Sequence, residues 1–189
     1  LLAGTEDTDG GAGNTVTHLF GGTFSDARDQ IGGNGTVANT FAGIAITANS
    51  AIAAQGAWQY STDGGTNWTS LPAVSETSAF LLASDAKLRF DPANNFHGTP
   101  GGLSARLIDN SSGAVTSGNS ANVFDTNSGG TTRYSDASNA VGLNTTVDNV
   151  NDRPTASNAT LPGTTEDTVN PPGTLVSALT LGYSDATDN

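Results

Sequence analysis

Two acidic motifs occur twice in the chain, in the same order. AGTEDT at 3–8 is matched by GTTEDT at 163–168, an offset of 160, and FSDARDQ at 24–30 is matched by YSDATDN at 183–189, an offset of 159. Two matched motifs in one order indicate an internal repeat. A one-residue difference in the loop between them accounts for the change of offset. The chain is therefore interpreted as one full repeat, with a period of 159 or 160, and the opening of the next.

These motifs carry oxygen-rich side chains of the kind that bind calcium. Calcium takes six to eight oxygen ligands, which clustered carboxylates on loops supply. The boundary sequence VDNVNDRP at 147–154 adds an Asn-Asp pair in a linker that Pro154 keeps extended. Turn capping by side-chain hydrogen bonds is the alternative role for these groups. The predicted metal ligands are Glu6, Asp26, Asp29, Asp109, Asn151, Asp152, Glu166, Asp185 and Asp188.

A separate motif predicts a structural hairpin. Residues 61–68, STDGGTNW, fit the pattern S-x-D-x-G-x-x-W, which resembles the Asp-box hairpin of sialidase propellers. In that hairpin the Asp accepts hydrogen bonds from turn amides and the Trp packs beneath, so Asp63 and Trp68 are assigned these roles. The motif occurs once, whereas a propeller repeats it in every blade. A glycosidase would need a pocket with paired carboxylates near Asp63.

Few residue patterns in the sequence indicate catalysis. The two histidines, His18 and His97, lie far apart in the sequence, and no G-x-S-x-G elbow, H-E-x-x-H zinc motif or phosphate-binding loop is present. The Glu6/Asp7 pair has no apolar surroundings in the sequence that would raise the pKa of one carboxyl. The sequence therefore predicts a protein that is not an enzyme.

Composition excludes several classes of partner. The chain has 18 acidic and 6 basic residues, a net charge of −12, and such a surface repels nucleic acid and anionic membranes. It contains no cysteine, which argues against disulfides and thiolate metal sites. No apolar run approaches the length of a membrane span. No basic-then-apolar leader opens the sequence, which predicts an excised piece or a distal secretion signal.

The hydrophobic pattern predicts an all-β fold. Leu88 and Phe90, then Leu103, Ala105 and Leu107, alternate with polar residues as in half-buried strands. No helix of three turns is predicted, and the Gly/Ser/Asn-rich segments 30–39 and 110–130 are predicted to be long surface loops. Short strands separated by such turns are typical of a sandwich. The predicted strands are Thr15–Phe20, Gly43–Thr47, Gly56–Ser61, Ala79–Leu82, Lys87–Phe90 and Leu103–Ile108.

Two stretches resemble a known family. LRFDPANNFHGTPGGLSARLIDNSSGAV at 88–115 resembles the "F-x-P-x-x-N-[FY]-x-G … D-x-x-G" signature of bacterial cadherin-like tandem repeats, and VDNVNDRP resembles their Asn-Asp-x-Pro linker. The resemblance implies a Greek-key β-sandwich of the cadherin/immunoglobulin-like class. It also implies an extender role in a giant RTX-type adhesin, which type I secretion exports to the bacterial surface. The spacing D-x-x-D and the linker, which lacks the full D-x-N-D-x-x-P, depart from the animal cadherin pattern.

The resemblance also implies where calcium binds. In such modules the linker, the Glu of one unit and the Asp pair of the next meet at a junction, which here assigns Glu6, Asn151, Asp152, Asp185 and Asp188 to one site. Neighbouring repeats of the same polypeptide are the predicted partners, with glycan or homotypic contacts as further options. The alternative function is a glycan- or ligand-binding module of the same adhesin, using the 110–130 loop or Trp58 and Trp68. Buried tryptophans favour the spacer.

The repeat also sets the predicted domains. Residues 1–150 form a repeat unit that lacks its first residues, because the first copy has no counterpart to residues 151–160. Residues 151–189 form the linker and the start of the next repeat. We expect this tail to pair with the first unit, in the same chain or in a neighbouring one.

Overall fold

The computed structural model describes residues 4–26, 38–124 and 127–179, so the predicted ligands Asp29, Asp185 and Asp188 lie outside the described residues. The chain forms two compact units, Leu1–Asn149 and Val150–Asn189. Each unit is described by itself.

The first unit is an all-β sandwich, as the sequence predicts. Its larger sheet has the strand order β10-β8-β3-β6-β9 and its smaller sheet has the order β2-β7-β4-β5, with antiparallel pairing throughout both sheets. The strands are β1 (Gly4–Thr5), β2 (Asn14–Thr15), β3 (Phe41–Asn49), β4 (Gly56–Ser61), β5 (Thr69–Ser70), β6 (Ala79–Ala83), β7 (Lys87–Pro92), β8 (Leu103–Asp109), β9 (Ser120–Ala121), β10 (Val141–Leu143) and β11 (Val147–Asp148).

The core lies between the two sheets and follows the predicted alternation. Leu88 and Phe90 of β7 share one buried cluster with Leu103, Ala105 and Leu107 of β8. Burial of such apolar area is the main favourable term in folding. The edge strands β2, β5, β9 and β10 are very short, and short edges offer little backbone for unwanted pairing with another sheet.

The predicted loop 110–130 has more structure than its composition indicates. It contains β9, which pairs with β6, and its Val123 is fully buried with Ala45, Ala79 and Ile108 in a second, smaller apolar cluster. The backbone carbonyl of Glu76 accepts the N–H of Val123, and the Glu76 carboxylate forms an ion pair of 2.7 Å with the buried Arg106 of β8. The segment therefore covers the outer face of the larger sheet.

The predicted strand Thr15–Phe20 is wrong for most of its length. After Thr15 the chain forms a short helix, α1 (Val16–Phe20), because the Thr15 hydroxyl accepts the N–H of His18 and caps the first turn. Val16 and Phe20, four positions apart, then reach the core from one face. His18 is exposed on this helix.

The first and last strands of this unit pair in parallel. Gly4 lies opposite Val147 and Thr5 opposite Asp148. The chain therefore runs in the same direction where it enters the unit and where it leaves it.

The second unit repeats the local structure of the first unit's opening. Thr165 and Thr168 are joined by a hydroxyl–hydroxyl bond of 2.8 Å, as are Thr5 and Thr8. A short helix, α2 (Val176–Leu179), begins 160 residues after the start of α1 at Val16. The same offset separates the two copies of the TEDT turn. Over the ranges that can be described, no helix has the length and apolarity needed to cross a membrane.

Candidate functional site

Three segments that are distant in sequence meet where the first unit's chain exits. They are the TEDT turn (residues 5–8), the loop 93–98 after β7, and the end of β11; we call this group the exit cluster. Gly98 and Val147 exchange two backbone hydrogen bonds of 2.8 Å, and the N–H of Glu6 donates to the carbonyl of Asp148. The motifs that carry the family resemblance thus pack against one another.

Asp7 fixes the conformation of the turn. Asp7 has a left-handed backbone conformation, φ 57°, which Asp tolerates better than most residues. Its carboxylate accepts the N–H of Asn95 at 2.9 Å. The second copy has the same backbone conformation at Asp167, φ 65°. The turn is therefore repeated in structure as well as in sequence.

Glu6 is the most buried of the predicted ligands that the structure describes. Its side chain is 0% exposed, and its Oε2 lies 3.4 Å from Nδ1 of His97. Sequence reasoning did not assign a role to His97, because the two residues are far apart in the chain and no local pattern joins them. Glu166, the repeat counterpart of Glu6, is exposed.

Two other predicted ligands lie together near the opposite end of β8. Leu143 pairs with Leu103 at the start of β8, close to the exit cluster, whereas Asp109 is the last residue of the strand. A strand of this length spans about 20 Å. Asp109 and Asp26 line one open polar cavity of about 1100 Å³, together with Asp136 and Arg133; we call it the entry cavity.

Both aspartates in the entry cavity hold backbone amides with one oxygen. Asp26 Oδ2 accepts the N–H of Asn39 at 2.8 Å, and Asp109 Oδ1 accepts the N–H of Ser111 at 2.7 Å. This is the turn chemistry considered as the alternative role. The second carboxylate oxygen of each residue has no hydrogen bond to the described chain, so it is open to a cation. Oxygen donors of this kind suit calcium.

The acidic side chains of the entry cavity lie beside a basic residue and hydrogen-bond donors. Arg133 donates from Nη2 to the carbonyls of Asp109 and Gly113 at 3.1 and 2.8 Å. The Ser138 hydroxyl, which donates to Asp136 at 2.7 Å, lowers the pKa of that carboxyl, and the Asn139 N–H adds to the effect. Within the described ranges no three Asp, Glu, His or Cys side chains group closely enough to hold a metal ion.

The remaining predicted ligands belong to the second unit. Asn151 is exposed, and its Nδ2 donates to the carbonyl of Asp152 at 2.8 Å. Asp152 is half-buried and Glu166 is exposed. Whether they join Glu6 in one site stays a prediction.

The hairpin between β4 and β5 has the predicted geometry. Asp63 accepts the N–H groups of Thr66 and Asn67, both at 3.0 Å. These bonds, the Asn67 N–H above all, hold the pKa of Asp63 well below its usual value. Trp68 packs against Gly13 and carries the Arg89 guanidinium 4.4 Å above its ring. The motif builds a turn.

Neither tryptophan ring is a free platform for a sugar. Trp58 is 1% exposed, donates from Nε1 to the carbonyl of Gly101 at 2.8 Å, and meets Phe90 edge-on with ring centroids 5.4 Å apart. Trp68 is half-buried beneath Arg89. Trp58 therefore belongs to the core between the sheets.

Comparison with known proteins gives no relative: no family model, no curated protein and no solved structure matches the chain.

Proposed function

We propose that the chain is a calcium-stabilised spacer repeat of a large bacterial surface or secreted adhesin, rather than an enzyme. The observation that carries the proposal is the recurrence of one turn and one short helix at a single offset, in a second unit that follows the sandwich. Tandem units joined in this way act as a string, and its mechanical properties depend on the junctions.

The interior of the first unit bears on the alternative function. The burial of Trp58 supports a role in packing over the alternative, a glycan-binding module.

Calcium is proposed from the positions and chemistry of the acidic groups. Glu6 lies in the exit cluster, and Asp26 and Asp109 lie in the entry cavity at the other end of β8. A junction site would draw its ligands from two successive units, which agrees with a unit that carries part of a ligand set at each end. At a net charge of −12, calcium would also relieve repulsion between crowded carboxylates.

Thermal melting with and without calcium tests the proposal. Extracellular modules bind calcium with dissociation constants of about 0.1–1 mM, so about 5 mM calcium adds roughly 1.1–2.3 kcal/mol per site. For a protein of this size we expect EDTA to lower Tm by more than about 5 °C. Calcium should restore it and magnesium should do so poorly. An unchanged melt in EDTA would remove the metal from the proposal.

Variants locate the metal. Asp26→Asn and Asp109→Asn each remove one open carboxylate oxygen from the entry cavity, and we expect each to raise the calcium concentration at half-maximal stabilisation several-fold. Asp85→Asn removes the same charge from an exposed turn and is the matched control. Equal behaviour of all three variants would exclude the entry cavity as a calcium site.

A further inference from the structure

Residues 164–179 repeat the turn and the short helix of residues 4–19 but not their packing. The TEDT turn and the short helix recur with the same spacing, yet Val16 is 0% exposed whereas its counterpart Val176 is 74% exposed. A second copy of a core segment is a hazard, since exchange of equivalent segments is a characteristic failure of repeat proteins. The question is what prevents residues 164–179 from taking the place of residues 4–19 in a first unit.

The two copies differ most in the loop between the turn and the helix. Gly10, Gly11 and Ala12 in the first copy correspond to Asn170, Pro171 and Pro172 in the second. Gly13 corresponds to Gly173, so the offset is the same on both sides of the difference. These are the three positions at which the first copy has Gly or Ala and the second has Asn or Pro. Other positions also differ, since Asp9, Thr15 and Phe20 correspond to Val169, Leu175 and Thr180.

The first position is blocked by contact with the backbone of β7. A Cβ atom at Gly10 would lie 2.2 Å from the carbonyl oxygen of Phe90 and 2.9 Å from Cα of Asp91. The N–H of Gly10 also donates to the carboxylate of Asp91 at 2.9 Å, which fixes the close approach. The side chain of Asn170 therefore has no room at this place in a first unit.

The second position is blocked by backbone conformation. Gly11 has φ +66°, a left-handed conformation. The ring of proline holds φ near −65°, so Pro171 cannot adopt the conformation that the chain has at Gly11. Steric overlap at position 10 and the fixed φ of proline at position 11 are thus two independent obstacles to the exchange.

We propose that Asn170, Pro171 and Pro172 form a barrier that keeps residues 164–179 out of the core of a first unit, in the same molecule or in another. Each opening segment is thereby reserved for its own repeat. The inference depends on the repeat and on the packing of residues 9–13, and it holds whether or not the unit binds calcium or belongs to an adhesin.

Two grafted chains test the barrier. In the first, residues 164–180 carry the complete sequence of residues 4–20; the second is identical except that it keeps Asn170, Pro171 and Pro172. Both leave the first unit's own sequence unchanged, so failure of that unit to fold does not complicate the comparison. The chains are unfolded, refolded at high concentration and studied by hydrogen exchange with mass spectrometry. Peptides that extend into the differing flanking sequences distinguish the two copies.

We expect the complete graft to exchange segments. Amides of 164–180 should then show a slowly exchanging population, at least tenfold slower than in the original chain, and amides of 4–20 should show a matching unprotected population. The graft that keeps the three residues should behave like the original chain, with an unprotected tail. Equal protection of the tail in both grafts, or in neither, would overturn the proposal.

Discussion

At the scale of single residues, hydrogen bonds to carboxylates explain more of the local structure of this molecule than ion pairs do. Asp63 in the β4–β5 hairpin accepts from two backbone amides, from the Ser61 hydroxyl at 2.7 Å and from Asn67 Nδ2. These donors favour the charged form of the carboxyl, which is why the pKa of Asp63 is lowered.

The lowered pKa predicts a pH-dependent effect of Asp63→Asn. A group whose pKa is lower in the folded state stabilises the fold above its unfolded pKa, and the contribution is lost as the pH falls through the folded value. We expect Asp63→Asn to lower Tm at neutral pH, and the difference from the original chain to shrink as the pH falls below about 4. Melting curves between neutral and acidic pH check this.

Asp85→Asn is the control for Asp63, because it removes one negative charge from an exposed turn. Its effect on Tm should be small over the whole pH range. A difference between the original chain and Asp63→Asn that stays constant from neutral to acidic pH would contradict the assigned cause.

Residue-scale prediction succeeded where a motif is local and failed where a contact is distant. Asp63 and its donors lie within a few positions, so the turn could be predicted from one short pattern. The proximity of Glu6 and His97 depends on how β1 and β11 pair, and both strands are very short. No periodic signal in the sequence marks such a strand.

At the scale of elements, alternation of apolar residues predicted the long central strands well. Strands β4, β6, β7 and β8 begin where the sequence predicted, because each places alternate apolar residues in the core between the sheets. The prediction of a strand at Thr15–Phe20 was wrong because the Thr15 cap and two core residues four positions apart favour a helical turn. The segment is too short for hydrophobic periodicity to distinguish a helix from a strand. The composition of the Gly-rich segment 110–130 predicted a surface loop and gave no indication that Val123 is buried.

The loop before α1 gives a prediction about glycine. Gly10→Ala places a Cβ against the backbone of β7, and we expect a loss of about 2 kcal/mol or more. Gly11→Ala has free space for its Cβ but a left-handed backbone, with an expected loss of about 1–2 kcal/mol. Urea unfolding, followed by the fluorescence of Trp58 and Trp68 in the same unit, measures both.

Asn170→Ala and Pro171→Ala are the matched controls in the second copy. Both residues are exposed, so each change should alter the unfolding of the first unit by less than about 0.5 kcal/mol. If Gly10→Ala changed the free energy of unfolding as little as Asn170→Ala, residues 9–13 would not pack as described. The steric argument for the barrier against segment exchange would then be wrong.

At the scale of the whole molecule, the repeat and the charge act together. The sandwich and the repeat offset could be predicted from the sequence, since both follow from patterns that run along the chain. The cover that residues 110–124 form over the larger sheet, and the entry cavity, could not be predicted, because these depend on how loops pack. A net charge of −12 on this frame makes stability sensitive to every cation, which raises the question of specificity.

Matched ionic strength separates specific calcium binding from general screening. Sodium shortens the range of repulsion between surface charges to about 8 Å at physiological ionic strength, and we expect it to raise Tm gradually without saturation. At the same ionic strength, about 5 mM calcium should give at least twice the gain in Tm and saturate, because a site with several oxygen ligands fills at millimolar concentration. Melting curves in chelator-treated buffers measure both series. Equal gains from sodium, magnesium and calcium would mean that the acidic surface responds to ionic strength alone, and the spacer would have no calcium sites.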